Sequence, residues 1–101
     1  MSSWIPVAKV QDLEEGKGVL CQAEGTPIAL FVKEGLYHAI HHICPHKGGP
    51  LAEGELEGMV VRCPWHAWEF DIRDGCNPQN KHLKVPHFET KVEGQDVWVK
   101  I

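Results

Sequence analysis

Cys44 and His46 are separated by one residue, and Cys63 and His66 by two. Sixteen residues lie between His46 and Cys63. Each pair offers one thiolate and one imidazole, so together they make a donor set of two sulfurs and two nitrogens. Two kinds of metal centre take that set. A structural zinc ion accepts two Cys and two His in a tetrahedron. A 2Fe–2S cluster with unlike irons takes two sulfurs on one iron and two nitrogens on the other. Zinc pairs usually leave at least two residues between ligands, whereas Cys44 and His46 are separated by one. The spacing favours the cluster, and a hairpin-like pair of loops would supply one ligand of each kind from each side.

Residues 44–50 read Cys-Pro-His-Lys-Gly-Gly-Pro and residues 63–66 read Cys-Pro-Trp-His. Their Gly and Pro content predicts two shaped loops rather than strands. Around them, short apolar or alternating runs recur between Gly-containing turns. The candidate strands are 4–9, 18–23, 28–33, 36–42, 59–63, 68–72, 88–92 and 97–101. In the last, Val97, Val99 and Ile101 share one side and Trp98 and Lys100 the other. Only 10–15 hints at a helical turn. This spacing predicts an all-β antiparallel sandwich or barrel. We read a single domain over 1–101, with a loop-rich metal-binding unit at about 43–82 inserted into a base made of 1–42 and 83–101.

The chain has 101 residues and a formal net charge of −4. A domain this small has little core to spare, and a bound metal centre adds stability. The charge argues against a nucleic-acid partner, which would call for clustered Lys and Arg. Residues 1–6, Met-Ser-Ser-Trp-Ile-Pro, lack the basic and apolar regions of a signal peptide, and the longest aliphatic stretch, 28–32, is too short to span a bilayer. A cytoplasmic protein with no membrane association is the expectation. Four cysteines would permit two disulfides, but cytosolic thiols stay reduced, and seven histidines point toward metal instead.

The paired motif resembles the Rieske family, whose signature is Cys-X-His followed, after a spacer of about this length, by Cys-X-X-His. Residues 44–51, Cys-Pro-His-Lys-Gly-Gly-Pro-Leu, and 61–71, Val-Arg-Cys-Pro-Trp-His-Ala-Trp-Glu-Phe-Asp, look like its two cluster boxes with their flanks. Asp74-Gly75 resembles the turn after the second box, and 92–99 resembles the closing hairpin of small Rieske ferredoxins. The resemblance implies a Rieske-like fold and one 2Fe–2S cluster per chain. Cys44 and Cys63 would hold the buried ferric iron. His46 and His66 would hold the outer iron, which takes the electron. Pro45, Gly48, Gly49 and Pro64 would shape the loops so that backbone N–H groups face the sulfurs, with Lys47, Gly48, Trp65 and Trp68 closest around the ligands.

Departures from the high-potential members refine the expectation. Respiratory-type relatives carry a loop-to-loop disulfide and a serine beside the cluster. The corresponding positions here are Gly49, Trp65 and Trp68, so fewer hydrogen bonds reach the cluster. The expected midpoint is roughly −150 mV rather than about +300 mV. Ala67 stands where the family commonly has glycine. Each ligand imidazole keeps a ring nitrogen that titrates, so the potential should fall with rising pH once these deprotonate in the oxidised state.

The remaining chemistry-bearing residues are read as structural. Cys21 is expected buried and inert, and Cys76, after a turn, exposed and open to reaction. His41 and His42 either flank the cluster or, the favoured reading, pack beneath the first box, and His38, His82 and His87 are surface or packing residues. Trp4, Trp68 and Trp98 pack on strand faces, and Trp65 shields the cluster. Glu53, Glu55 and Glu57 form a solvated acidic loop, or else a docking rim for a basic partner. The leading function is a monomeric or weakly associated electron carrier, not itself an enzyme, passing one electron from a flavin reductase to a terminal oxygenase. The competing reading is a small Rieske-like subunit of an assimilatory nitrite reductase, bound to a large subunit. The cluster domain of an oxygenase is disfavoured because the chain leaves no room for a catalytic iron domain.

Overall fold

The structure, a computed structural model, describes residues 3–44, 48–65 and 68–101. Among these, the strands in chain order are β1 (Trp4–Lys9), β2 (Gly18–Ala23), β3 (Thr26–Lys33), β4 (Leu36–His41), β5 (Glu55–Glu57), β6 (Val60–Arg62), β7 (Glu69–Asp71), β8 (His87–Glu93) and β9 (Asp96–Lys100). They form two antiparallel sheets. Six strands in the order β1-β9-β8-β4-β3-β2 make a nearly closed sheet, and β5-β6-β7 make a smaller one. The smaller sheet lies in the sequence between β4 and β8, so the chain leaves the large sheet, builds the small one and returns.

Why β3 carries the longest aliphatic run follows from its position. Ile28 and Leu30 point into the core of the six-stranded sheet with Cys21, Ala23, Ala39, Val97 and Val99. Ala29 and Phe31 point the other way, into a second core with Ile40, Leu51, Val61, Phe70, Ile72 and Val85. A strand buried on both faces needs apolar residues at every position rather than at alternate ones. Phe31 and Phe70 are fully buried in the second core, worth about 1.5–3 kcal/mol each in removed apolar surface. This second core welds the small sheet to the large one.

Two hairpin turns repeat one device. Glu24-Gly25 has φ values of 49° and 83°, and Glu34-Gly35 has 54° and 75°. Positive φ at both central residues is what a two-residue turn of the primed type requires. Glutamate resists that conformation, and at Glu34 a second residue compensates. The Glu15 carboxylate accepts the N–H of Glu34 at 2.6 Å and of Gly35 at 3.3 Å. The Glu34 N–H, opposed by partial desolvation, holds the Glu15 carboxyl below its usual range.

Some boundaries differ from the expectation. β3 begins at Thr26 and β4 ends at His41. The helical hint contracts to a single 3-10 turn, Val10–Asp12. The larger correction concerns the acidic run, expected as a loop. Glu55–Glu57 is a strand, with Glu55 and Glu57 exposed and Leu56 turned toward the second core. Glu53 closes a 3-10 turn, Leu51–Glu53. Strand pairing to Val60–Arg62 overrides the weak strand preference of glutamate.

Candidate metal centre

Two loops project from the second core. The first leaves β4 after His41. His42 N–H donates to the Pro27 carbonyl at 3.0 Å, and Ile43 and Pro50 form an antiparallel bridge. Within it, Cys44 N–H donates to Gly49 O at 2.9 Å, and Gly48 N–H returns to Cys44 O at 2.9 Å. The loop is thus closed on itself around Cys44. The second loop joins β6 to β7, closed by Cys63 N–H donating to Trp68 O at 2.7 Å.

These closures bring the two sulfurs together. Cys44 and Cys63 are buried members of the second core, 1% and 2% exposed, and their side chains lie within hydrogen-bonding reach of each other. Burial is the main cause pushing the Cys63 thiol up, reinforced by Cys44, while the Trp65 N–H donating to the sulfur pulls the other way. A thiol this dry stays protonated by itself, and a coordinated metal ion reverses that preference. All four cysteines are free of disulfides.

Gly49 completes the cradle. A Cβ there would run into the Cys63 sulfur and lie 3.3 Å from Trp65 Cβ. The backbone of the first loop therefore lies close against the Cys63 sulfur of the second, leaving no room for a side chain at residue 49. Paired buried thiols, an N–H aimed at one sulfur and close backbone on its flank fit an iron–sulfur group. Among the described residues no cluster of three or more metal-binding side chains occurs. Pro45, His46, Lys47, His66 and Ala67 lie outside the described residues, so the structure unites Cys44 with Cys63 and does not place the two imidazoles.

The neighbouring residues divide as follows. Gly48 is exposed at the loop with φ 75°. Trp65 starts beside Gly49 and is 50% exposed. Trp68 is half-buried against the second core. His41 Nδ1 accepts the Ile43 N–H at 3.3 Å. His42, expected as simple packing, does more: its Nδ1 accepts the Ala52 N–H at 3.2 Å, and its carbonyl accepts the Leu51 N–H at 2.9 Å. Strand alternation was the available signal, since it puts residue 42 on the inward side with Ile40. Burial lowers the pKa of the His42 imidazole, opposed by Glu53.

Other candidates stand apart from this centre. Cys21 is buried in the first core, and half-buried Cys76 donates its N–H to Asp74 Oδ1 at 2.9 Å. His82 and His87 are exposed. His38 is half-buried, and its Nε2 is enclosed with no hydrogen-bond partner. Trp4 and Trp98 are half-buried on the outer face of the large sheet, with Lys91 Nζ 4.6 Å and 5.6 Å from their rings. On the small sheet, Arg62 sits between Glu57 at 3.8 Å and Glu69 at 3.2 Å, in a shallow hollow of about 270 Å³. Ion pairs this exposed contribute little.

Fold and site together define a class: a small antiparallel β protein in which two loops bring a pair of buried cysteines together, as an iron–sulfur group requires. The Rieske [2Fe-2S] domain description matches residues 3–89, and the chain belongs to that family. Its cofactor is a Rieske-type 2Fe–2S cluster, not zinc. The chain is 33% identical over 102 residues to the ferredoxin component of the naphthalene 1,2-dioxygenase/salicylate 5-hydroxylase systems of a Ralstonia species, covering 98% of this chain and 96% of that one. It also resembles a solved chain from a complex of reduced oxygenase and oxidized ferredoxin in carbazole 1,9a-dioxygenase, with TM-score 0.84, 26% identity, and 95% and 91% coverage. The fold recurs at TM-score 0.91 and 22% identity in a Mycobacterium tuberculosis chain assigned as the small subunit of an NADH-dependent nitrite reductase, with 100% and 96% coverage. Among the described residues no helix is long and apolar enough to cross a membrane.

Proposed function

We propose that this chain is the ferredoxin component of a multicomponent oxygenase system, carrying one electron at a time from a flavin reductase to a terminal oxygenase. The observation that carries this reading is the nearly complete mutual coverage with a ferredoxin component, combined with two buried thiols held side by side by two loops. Cys44 and Cys63 would hold one iron and His46 and His66 the other, within a single Rieske domain over 1–101 whose cluster-binding part is about 43–82. When bound, the cluster supplies reversible one-electron chemistry. The residues around it need only hold their geometry, keep water from the sulfurs and leave the edge accessible. Leu51, Val61 and Phe70 exclude water beneath the thiols. The Trp65 N–H stabilises negative charge on the Cys63 sulfur. A carrier of this kind makes small transient contacts with its partners and works as a monomer in the cytoplasm.

Reconstitution tests the reading. An NADH-dependent flavin reductase should bleach the visible absorbance of the purified protein within seconds, and addition of a cognate oxygenase with substrate should restore it. Stable co-purification with a large reductase subunit, and no reduction by the flavin enzyme, would favour the nitrite reductase assembly instead.

A further inference from the structure

We infer that His42 is a positioning residue that sets the first cluster loop against the second. It is the buried polar side chain of the described core, 6% exposed. Three hydrogen bonds converge on it. Its N–H donates to Pro27 O at the start of β3, its carbonyl accepts the Leu51 N–H, and its imidazole Nδ1 accepts the Ala52 N–H. The Leu51 bond, with the Cys44 N–H bond to Gly49 O, frames the antiparallel bridge between Ile43 and Pro50. Both ends of the loop, residues 42–43 and 50–52, are therefore tied at one point to the rigid large sheet.

The consequence reaches the sulfurs through the chain itself. Cys44 is two residues beyond the tie on one side, and Gly49 is two residues before Leu51 on the other. Cys44 and Gly49 are joined by the N–H of the first and the carbonyl of the second, and the Gly49 backbone packs close against the Cys63 sulfur. A shift at residues 51–52 moves Gly49, and Gly49 moves against Cys63. Accepting the Ala52 N–H requires a lone pair on Nδ1, so the imidazole is neutral, with its proton on Nε2. A buried backbone N–H left without this acceptor would draw the 3-10 turn Leu51–Glu53 toward another partner.

Part of this inference rests on the proposed ligation by Cys44 and Cys63, and the experiment separates the two. His42→Leu places a methyl group where Nδ1 was. His42→Asn restores an acceptor, Oδ1, at the same distance along the side chain. Amide hydrogen exchange, read residue by residue, reports the tie, and chelator-driven iron loss and the EPR g values of the reduced protein report the cluster. In His42→Leu the amides of Cys44, Leu51 and Ala52 should exchange on the order of tenfold faster while Leu30 and Val99 keep their protection. Iron should leave faster and the g values shift, and His42→Asn should restore all of these toward the parent. Equal behaviour of the Leu and Asn variants would overturn the inference, as would acceleration spread evenly over β3 and β9. Local exchange changes with unaltered iron retention and g values would overturn the link to the sulfurs. A parent protein without a Rieske signal would count against the ligands and not against the exchange result.

Discussion

Two adjacent glycines in the first loop predict different iron retention for the same substitution. In Gly49→Ala the new methyl meets the Cys63 sulfur head-on, with Trp65 Cβ at 3.3 Å and Trp65 Cγ at 3.4 Å closing the other side. The sulfur is buried in the second core, so either it or the first loop moves. Overpacking of this kind costs about 1–3 kcal/mol, which lowers Tm by roughly 5–20 °C in a domain of this size. In Gly48→Ala the methyl meets, among the described residues, only Ile43 Cγ2 at 3.9 Å, but φ of 75° penalises any side chain by about 1–2 kcal/mol. The two variants should therefore lose comparable stability for different reasons. Only Gly49→Ala displaces a ligand atom. The assay is iron content per chain and the half-life of visible absorbance under excess chelator. Gly49→Ala should purify iron-poor and bleach at least about tenfold faster, a factor worth 1.4 kcal/mol, while Gly48→Ala keeps parental iron. Equal iron retention in the two variants would refute the reasoning.

Other expectations follow from the same structure. Phe70→Ala empties a fully buried site beneath the small sheet and should cost about 3–5 kcal/mol in denaturant unfolding; a loss under 1 kcal/mol would mean the second core does not hold the two sheets together. Burial is the main cause holding the His38 imidazole below its ordinary pKa, with Asp71 opposing and Arg73 assisting. A depressed histidine contributes stability present above its unfolded pKa near 6.5 and lost as pH falls through the folded value. Urea unfolding of His38→Leu should accordingly depend less on pH below about 6.5 than that of the parent, and an unchanged slope would show that another group controls it. A redox titration should place the midpoint near the low end of the Rieske range, roughly −150 mV, because Gly49 and Trp65 leave no inter-loop disulfide; a clearly positive midpoint would contradict this.

Much of the architecture was legible because the strands of the large sheet carry strong patterns. β1 and β2 fall within the residues expected, and Val97 and Val99 face the core as alternation requires. The two cysteines stood out because ligand spacing is a chemical constraint that tertiary context does not blur, and the structure brings Cys44 and Cys63 together, while His46 and His66 lie outside the described residues. What escaped was set by tertiary contact. Glu55–Glu57 becomes a strand only because Val60–Arg62 lies beside it. The uninterrupted apolar run of β3 is ambiguous until the second core shows that both its faces are covered. Glu15 and His42 act on residues 19 and 10 positions away, and no local pattern announces a carboxylate that pins a distant turn or an imidazole that caps a distant amide. The close approach of Gly49 to Cys63 likewise exists only once both loops are folded.

We propose that Cys44, His46, Cys63 and His66 ligate the 2Fe–2S cluster. EPR spectroscopy of the dithionite-reduced protein, with iron and zinc quantified on the same sample, tests it most directly. The account predicts two irons per chain, negligible zinc and the low average g value of a centre with mixed sulfur and nitrogen ligands. It predicts that signal to disappear in Cys44→Ala, His46→Ala, Cys63→Ala and His66→Ala alike. A colourless protein with one zinc per chain, or a Rieske signal that survives any one of these four substitutions, would contradict it.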